Sequence, residues 1–356
     1  MRLLMEIHCL PVAQLTAEHV AAWDSLQRAD RSYDSPYFRP EFAETVAAVR
    51  DGVEVAVLRE HGEIVGLFPF QRRGSIAHPV GGKLSDFHGV VARGDDWDPV
   101  ELLRACRLSA WRFDHLIASQ RPLLPYQWQI AESPYIDLCG DQAFPHRGKG
   151  VSYLDRADRK IRYAEREAGP IRFELHTVES GVFRQMVKWK VDQYRRTSVT
   201  NVLQFEWTIA LLEHIRRMEG EHFSGLLSAL YFDGILAAVL LSMRSHKVLH
   251  GWFSAYRPEF SPLSPGVVLW TRLLAALPDV GIERVDLGKG PEKYKRQLMS
   301  GTTNVAEGAV DRRPLAGALC RGVKSAYDWA RQSSLRKPLL TPGRALKRLL
   351  EARSYR

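Results

Sequence analysis

The sequence predicts an α/β protein with a mixed sheet (α+β), wound as two similar halves. Its 356 residues suffice for two domains of ordinary size, and its hydrophobic content of 45% suffices for packed cores. A turn between two apolar runs occurs at His61-Gly62 and again at Asp233-Gly234. A strand carrying Arg-x-Asp follows in each half, and its aspartate comes 52 positions after the glycine, from 62 to 114 and from 234 to 286. This shared spacing predicts a repeated α/β unit.

Both halves show the same order of elements, namely a hairpin of two apolar strands, an amphipathic helix and a later strand. The first half has them at 53–58, 64–70, 99–109 and 112–114. The second half has them at 226–231, 235–241, 266–277 and 284–286. Because both turns are of common types, chance agreement is the alternative to a true repeat.

The second half carries the most informative local pattern. Val248–Tyr256 is rich in β-branched and aromatic residues, which predicts a strand, and three prolines from 258 to 265 predict a loop. Ser264-Pro265-Gly266 then predicts a helix start, with the serine hydroxyl as cap and proline in the first turn. A helix N-terminus presents unpaired N–H groups and a positive dipole end, so this one is suited to a pyrophosphate.

Beyond this helix, a strand at 283–287 and a short helix at 292–299 flank a glycine turn. Ser264-Pro265-Gly266, the turn from Asp286 to Gly290, and Tyr294-Lys295-Arg296 resemble the C-terminal half of the CelD/BcsL-type acetyltransferases. That family is a branch of the GNAT superfamily related to the FemAB-type aminoacyl transferases. The segments 35–42 and 159–162 are similar to its N-terminal and central parts, so the resemblance covers most of the chain. It implies two tandem GNAT-like (acyl-CoA N-acyltransferase) halves.

The resemblance also implies acetyl-CoA as the acyl donor and no metal. Candidate donor-binding residues are Ser264 and Gly266 at the helix start, Arg257 in the loop and Lys289 in the glycine turn. The usual GNAT signature, Gln/Arg-x-x-Gly-x-Gly/Ala, is absent, so 257–266 would have to bind the donor with fewer glycines. The first half lacks these features and is expected to supply substrate-binding walls.

Three residues are candidates for the chemistry of amine acylation. Tyr294 stands where many GNAT enzymes place the proton donor to the departing thiolate, with an ordinary packing role as the alternative. Lys295 would bind phosphate or polarise the reacting carbonyl, although adjacent helix residues point about 100° apart and cannot both face one point. Asp286 would accept the amine proton or orient Lys289, or else simply cap the turn at Gly288.

Four residues are candidates for binding the acceptor. Asp86 and His88, two positions apart, are expected on one face of a strand, where they suit a polar substrate such as an amino sugar. Trp189 lies among basic residues of a helix at 182–196, a mix that suits a saccharide or sugar nucleotide. His250 is expected to share a strand face with Trp252 and has a pKa suited to a base. The alternative for Asp86 and His88 is a solvated edge strand. The alternative for Trp189 is an ordinary half-buried helix, and for His250 it is a histidine of the core.

Composition divides the chain further and excludes several classes of protein. The predicted parts are the N-terminal half 1–145, a basic linker helix 146–170, the C-terminal half 171–318 and a basic amphipathic tail 319–356. From Arg321 to Arg356, ten Lys and Arg face Asp328 and Glu351, a balance of +8 out of +9 for the chain. Four scattered cysteines indicate neither a disulfide framework nor a metal site, and no signal peptide is evident. We therefore expect a cytoplasmic location. The basic tail could bind peripherally to the inner membrane face or to a synthase complex. Because the tail has few aromatic residues, we do not expect it to bind nucleic acid.

The function that these observations favour is acetyl transfer from acetyl-CoA to an amine of a sugar, nucleotide-sugar or polysaccharide precursor, by direct attack on the thioester. A FemAB-like aminoacyl transferase that uses charged tRNA is one alternative. A non-catalytic scaffold of a polysaccharide synthase complex is another.

Overall fold

The structure is a computed structural model that describes residues 5–139, 149–197, 199–290, 292–313 and 322. The predicted tail at 319–356, apart from residue 322, lies outside the described residues, as do residues 146–148 of the predicted linker. Within the described ranges, no helix is both long enough and apolar enough to cross a membrane.

The chain forms two compact units. The first unit comprises Met1–Tyr33, Pro40–Ala131 and Asn304–Arg356, and the second comprises Asp34–Arg39 and Glu132–Thr303. The sequence predicted domains that are each continuous in the chain, with boundaries at 145 and 171. In the structure, each unit contains segments from more than one part of the sequence.

The strands and helices of the described residues are numbered in chain order. The strands are β1 Glu6–Pro11, β2 Val53–Glu60, β3 Glu63–Arg73, β4 Ile76–His78, β5 Val91–Ala92, β6 Ala110–Ile117, β7 Gln127–Asp137, β8 Ile171–Glu174, β9 Phe223–Phe232, β10 Ile235–Ser245, β11 Val248–Tyr256, β12 Arg284–Asp286 and β13 Gly301–Asp311. The helices are α1 Ala17–Ala29, α2 Pro40–Ala47, α3 Pro99–Ala105, α4 Lys149–Ala168, α5 Ser180–Thr197, α6 Glu206–Arg216, α7 Pro265–Ala276 and α8 Lys293–Leu298.

The strand order is the same in both units. The first unit runs β1-β2-β3-β4-β6-β13, with β5 on β3, and the second runs β8-β9-β10-β11-β12-β7. In the first unit only β4 and β6 are parallel, and in the second only β11 and β12, among the strand pairs whose register is described. The predicted repeat of a mixed α/β unit is confirmed, and each unit takes its last strand from the other half of the sequence.

The two repeated turns have the same backbone geometry. His61 and Gly62 have φ of 52° and 84°, and Asp233 and Gly234 have φ of 48° and 75°. Two successive residues with positive φ form the turn that best matches the twist of a hairpin, and glycine accepts this conformation without strain. The β2–β3 and β9–β10 hairpins therefore follow directly from the two dipeptides.

The core of the second unit packs helices α4 and α7 against one face of the sheet. Buried residues of α4 recur at helical spacing, at Tyr153, Ala157, Ile161 and Ala164, and they share a cluster with Leu269 and other residues of α7. Gly169, with φ of 81°, ends α4 as a C-terminal cap, and its N–H donates to the Glu165 carbonyl at 3.1 Å. The charged linker helix predicted from the sequence is thus anchored through its apolar face.

Candidate active site

The candidate site lies where β11 and β12 separate. The two strands pair only from Val248 to His250, opposite Arg284 to Asp286. The remaining part of β11, Gly251–Tyr256, extends beyond β12 and leaves that edge without a strand among the described residues. A bulge at the same place makes Trp252 an extra residue, because Gly251 lies opposite Ser242 and Phe253 opposite Leu241. Bulges often occur beside active sites because they redirect side chains.

Helix α7 begins in an unusual backbone conformation. Ser264 has φ of 54° and ψ of 51°, and its side chain makes no capping hydrogen bond, so the predicted hydroxyl cap is wrong. The serine carbonyl instead accepts from the N–H groups of Val267 and Val268, at 2.9 and 3.3 Å. Gly266 faces open space, because a Cβ placed there would meet nothing within 4 Å. A left-handed serine costs about 1–2 kcal/mol, a strain that is common at functional sites.

Arg257 connects the end of β11 to the α7 loop. Its Nε donates to the Leu236 carbonyl at 3.1 Å, which fixes the plane of the guanidinium group. The same group lies 5.9 Å from the ring centres of Trp189 and Phe260. Its Nη1 and Nη2 make no hydrogen bond to any residue that the structure describes, so they are available to an anion. Trp189 is buried, and its ring is in contact range of Arg257 rather than exposed to a saccharide.

Tyr294 lies at the start of α8. Its ring stacks on Trp270 of α7 with 5.9 Å between ring centres. Trp270 in turn contacts Gly251, where a Cβ would come within 2.8 Å of the indole Cη2. Burial, helped by Glu292 and Tyr153, raises the pKa of Tyr294 well above its ordinary value. The phenol therefore stays protonated and can donate a proton.

Lys295 stabilises the glycine turn. Only 6% of it is exposed, and its Nζ donates to the carbonyls of Gly288 and Lys289 at 3.1 and 3.3 Å. It also lies 3.1 Å from the Glu292 carboxylate. Gly288 has φ of 69°, which only glycine adopts without strain. These contacts favour the scaffold role for Lys295 over contact with phosphate or substrate.

Asp286 forms a buried ion pair. Its Oδ1 accepts from Arg284 Nε at 2.9 Å, and only 2% of the residue is exposed. Arg284 also stacks over Tyr135 at 4.1 Å and donates to Thr303 Oγ1 at 2.9 Å. Burial alone would lower the pKa of Arg284, but Asp286, together with Tyr135 and Asp137, offsets this and raises it. The carboxylate is thus engaged by a permanent cation, which disfavours its use as a base.

His250 is fully buried, and the bulge at Trp252 interrupts the alternation from which a shared strand face was expected. The ring of Tyr37 packs edge-on against His250 and Trp252, at 4.9 and 6.3 Å between centres. This environment favours the core alternative for His250.

Asp86 and His88 lie in the first unit, and the segment that holds them is not a strand. His88 forms only an isolated parallel bridge with Leu116 of β6, in which its N–H donates to the His115 carbonyl and its carbonyl accepts from the Ile117 N–H, both at 3.1 Å. The strand prediction is wrong because this backbone pairing does not extend along the segment. His88 Nε2 also accepts the backbone N–H groups of Asp114 and His115, at 3.3 and 3.2 Å. Asp86 Oδ1 lies 3.9 Å from His115 Nε2. The structure therefore brings Tyr294, Arg257 and Gly266 into the second unit and leaves this pair in the first.

Lys190 is a site residue that the sequence interpretation missed. It lies on α5, and its Nζ donates to the Ser254 carbonyl at 3.1 Å, on the part of β11 that extends beyond β12. The available signal was its spacing, because it follows the buried Met186 by four positions and Phe183 by seven, and therefore belongs to the apolar face.

Comparisons with known proteins agree with this geometry. Residues 152–296, less than half of the chain, match a family model described as an acetyltransferase (GNAT) domain. No curated protein matches the sequence. Similar solved structures include FemX, at 11% identity over 88% of this chain and 100% of that chain, with a TM-score of 0.57. The C-terminal domain of a protein described as a lysylphosphatidylglycerol synthetase from Agrobacterium fabrum is 15% identical over 85% and 95%, with a TM-score of 0.53. L-PGS from Bacillus licheniformis is 11% identical over 85% and 95%, with a TM-score of 0.52.

The prediction of two GNAT-like halves in tandem is confirmed at the level of the fold. The prediction of a GNAT-type N-acyltransferase is confirmed through the acetyltransferase domain at 152–296. The matched residues contain β11, α7 and β12, and they end within α8, at Arg296.

Proposed function

We propose that the protein transfers an acetyl group from acetyl-CoA to an amine of a sugar, nucleotide-sugar or polysaccharide precursor, as the CelD/BcsL-type branch that it resembles implies. The observation that carries the proposal is the start of α7, where a strained serine and an unobstructed glycine follow the free part of β11 after the loop at 257–263.

The donor is expected at this helix start because its chemistry matches a pyrophosphate. The positive dipole end of α7 attracts an anion, and Gly266 allows close approach of the backbone. Arg257 adds two unbonded nitrogens to the same loop, a fork that suits phosphate oxygens.

The donor supplies a thioester carbonyl, and the protein supplies position and proton transfer. Tyr294 protonates the departing thiolate, the role that its position in the resembling pattern implies. Burial raises the pKa of its phenol, so the group carries its proton in the resting protein. Trp270 positions Tyr294, because it stacks on the phenol and packs against Gly251 of β11. Direct attack by the amine needs no acyl-enzyme.

The test is release of free CoA when purified protein meets acetyl-CoA and a panel of amino sugars and nucleotide amino sugars. Arg257→Gln should weaken acetyl-CoA about tenfold or more, the loss of one charge-assisted contact. The same variant should leave S-acetyl-pantetheine, which lacks the pyrophosphate, unaffected. Equal losses for both donors would remove Arg257 from phosphate binding, and no release with any amine would refute the proposal.

Aminoacyl transfer from charged tRNA is the second candidate. The proteins with similar folds include FemX and one described as a lysylphosphatidylglycerol synthetase, a name that denotes lysine on phosphatidylglycerol. A parallel assay with lysyl-tRNA and alanyl-tRNA, at graded salt, tests this candidate. Transfer from tRNA together with no binding of acetyl-CoA would favour it over the leading proposal.

A further inference from the structure

Lys190 lies on the apolar face of α5, where its side chain is half-buried. Its Nζ makes one hydrogen bond, to the Ser254 carbonyl at 3.1 Å, and lies 5.4 Å from the ring centre of Tyr194. It forms no ion pair with any residue that the structure describes. Burying a lysine in this way is costly, and lysines are almost never buried without a carboxylate partner.

The place of Lys190 connects it to the candidate site. His250 is the last residue of β11 that pairs with β12, and Ser254 lies four residues beyond it. Lys190 Nζ therefore contacts the part of β11 that is not paired with β12. The charges of Glu292 and Lys295, on either side of Tyr294 in the sequence, both act on Nζ. Tyr294 approaches the same strand through Trp270, which stacks on its ring and packs against Gly251 of β11.

We propose that Lys190 is the general base of the acyl transfer, accepting at Nζ the proton that the acceptor ammonium must lose before it can attack. This inference rests on the proposed function. The neutral Nζ takes the first proton and becomes an ammonium, and the freed amine forms a C–N bond to the thioester carbon. The C–S bond then breaks, and the attacking nitrogen releases its second proton to solvent to give the amide. Tyr294 gives its proton to the thiolate, and both side chains are reset by solvent, with net release of one proton.

The surroundings of Lys190 suit this role. Burial lowers the pKa of Lys190 from 10.5 to about 8, Glu292 opposes the change, and Lys295 adds to it; no charged group of β10 or β11, the strands that pack on α5, contributes. A substantial neutral fraction is then present near neutral pH, as a base requires. Burial also raises the pKa of Tyr194, to about 12, so this neighbour stays neutral and does not compete for the proton.

The opposite shifts of Lys190 and Tyr294 define the two roles. A pair of groups whose surroundings move their pKa values apart is the pattern of an acid and a base in one site. Asp286, the base expected from the sequence, is held by Arg284 at 2.9 Å and is less suited. In this proposal Lys190, and not Asp286, is the general base.

The test compares Lys190→Ala, Lys190→Arg and the control Lys188→Ala, an exposed lysine on the same helix. We expect Lys190→Ala and Lys190→Arg to lower kcat about 100-fold or more, with little change in KM for acetyl-CoA, and Lys188→Ala to match the wild type. Methylamine and ethylamine should restore activity to Lys190→Ala. The kcat of the wild type should rise with pH and reach a plateau above pH 8, whereas the kcat of Lys190→Ala should not show this rise. If Lys190 were purely structural, added amines would not restore activity and the variant would keep the pH dependence of the wild type.

The possible failures are distinguishable. Normal turnover of Lys190→Ala in an active protein, or loss without amine rescue, overturns the assignment alone. A wild-type protein that releases no CoA overturns the proposed function and the assignment with it. NMR of ¹³C-methylated lysines, compared with Lys190→Arg for assignment, adds a readout without turnover, since a midpoint at the ordinary value of 10.5 would also overturn the inference.

Discussion

Replacing Lys190 by methionine should stabilise the protein at neutral pH while it removes activity. Methionine has a similar length, fills the same apolar surroundings and carries no charge to desolvate. The folded state binds the lysine proton less tightly than the unfolded chain does, because burial lowers the pKa from 10.5 to about 8. Below pH 8 both states are protonated, so the folded state bears the full cost.

The size of the effect follows from the same two values. A difference of this size corresponds to about 3 kcal/mol of folding free energy at pH 7. Loss of the hydrogen bond to Ser254 costs about 1 kcal/mol, so the net gain for Lys190→Met is about 2 kcal/mol. As the pH rises from 8 to 10.5 the unfolded chain still holds the proton and the folded state does not. The wild type therefore gains stability over this range, and the advantage of methionine disappears.

Urea unfolding of the wild type and of Lys190→Met at several pH values between 7 and 10.5 measures this difference. Lys188→Met, on the exposed side of α5, is the matched control and should stay within about 0.5 kcal/mol of the wild type at each pH. A methionine variant that is less stable at pH 7, or a difference independent of pH, would refute the reasoning about Lys190.

Two further substitutions separate chemistry from scaffold. Tyr294→Phe should lower kcat about 100-fold, because the thiolate loses its proton donor, while calorimetry should show unchanged affinity for acetyl-CoA; an unchanged kcat would remove Tyr294 from this role. Asp286→Asn should lower the free energy of unfolding by about 3 kcal/mol, since it leaves the half-buried Arg284 cation without its carboxylate. Urea unfolding measures that loss, and a large fall in kcat at unchanged stability would instead support a catalytic Asp286.

Local patterns in the sequence predicted the elements around the site well. β11 spans Val248–Tyr256 as predicted, because a run of β-branched and aromatic residues is bounded by a proline-rich loop. The sequence could not predict that β13 joins the sheet of the first unit, because its pairing with β6 depends on contacts between residues that are distant in the sequence. The same limit applies to the segment at Asp86, which makes an isolated bridge to β6 through His88 in place of a full strand.

The site was predicted in part, and the reasons for the gaps are physical. Tyr294 and Gly266 could be placed from order along the chain, because each follows directly on a recognisable turn or helix start. The partners of Asp286 and Lys295 could not, because an ion pair to Arg284 and bonds to carbonyls depend on the folded geometry. Lys190 could be recognised only as one of several basic residues suited to a phosphate, on a helix whose alternative was an ordinary half-buried one, because its bond to Ser254 depends on the folded geometry.

Calorimetric titration with acetyl-CoA of the wild type, Gly266→Val and Gly181→Val tests the central claim most directly. Both glycines are second in their helices, and a Cβ at either would meet nothing within 4 Å, so both variants should fold normally. The account predicts binding to the wild type and to Gly181→Val, and affinity at least about tenfold lower for Gly266→Val at an unchanged unfolding midpoint. Equal affinity of all three proteins, or no binding to the folded wild type, would contradict an acyl-CoA site at the start of α7.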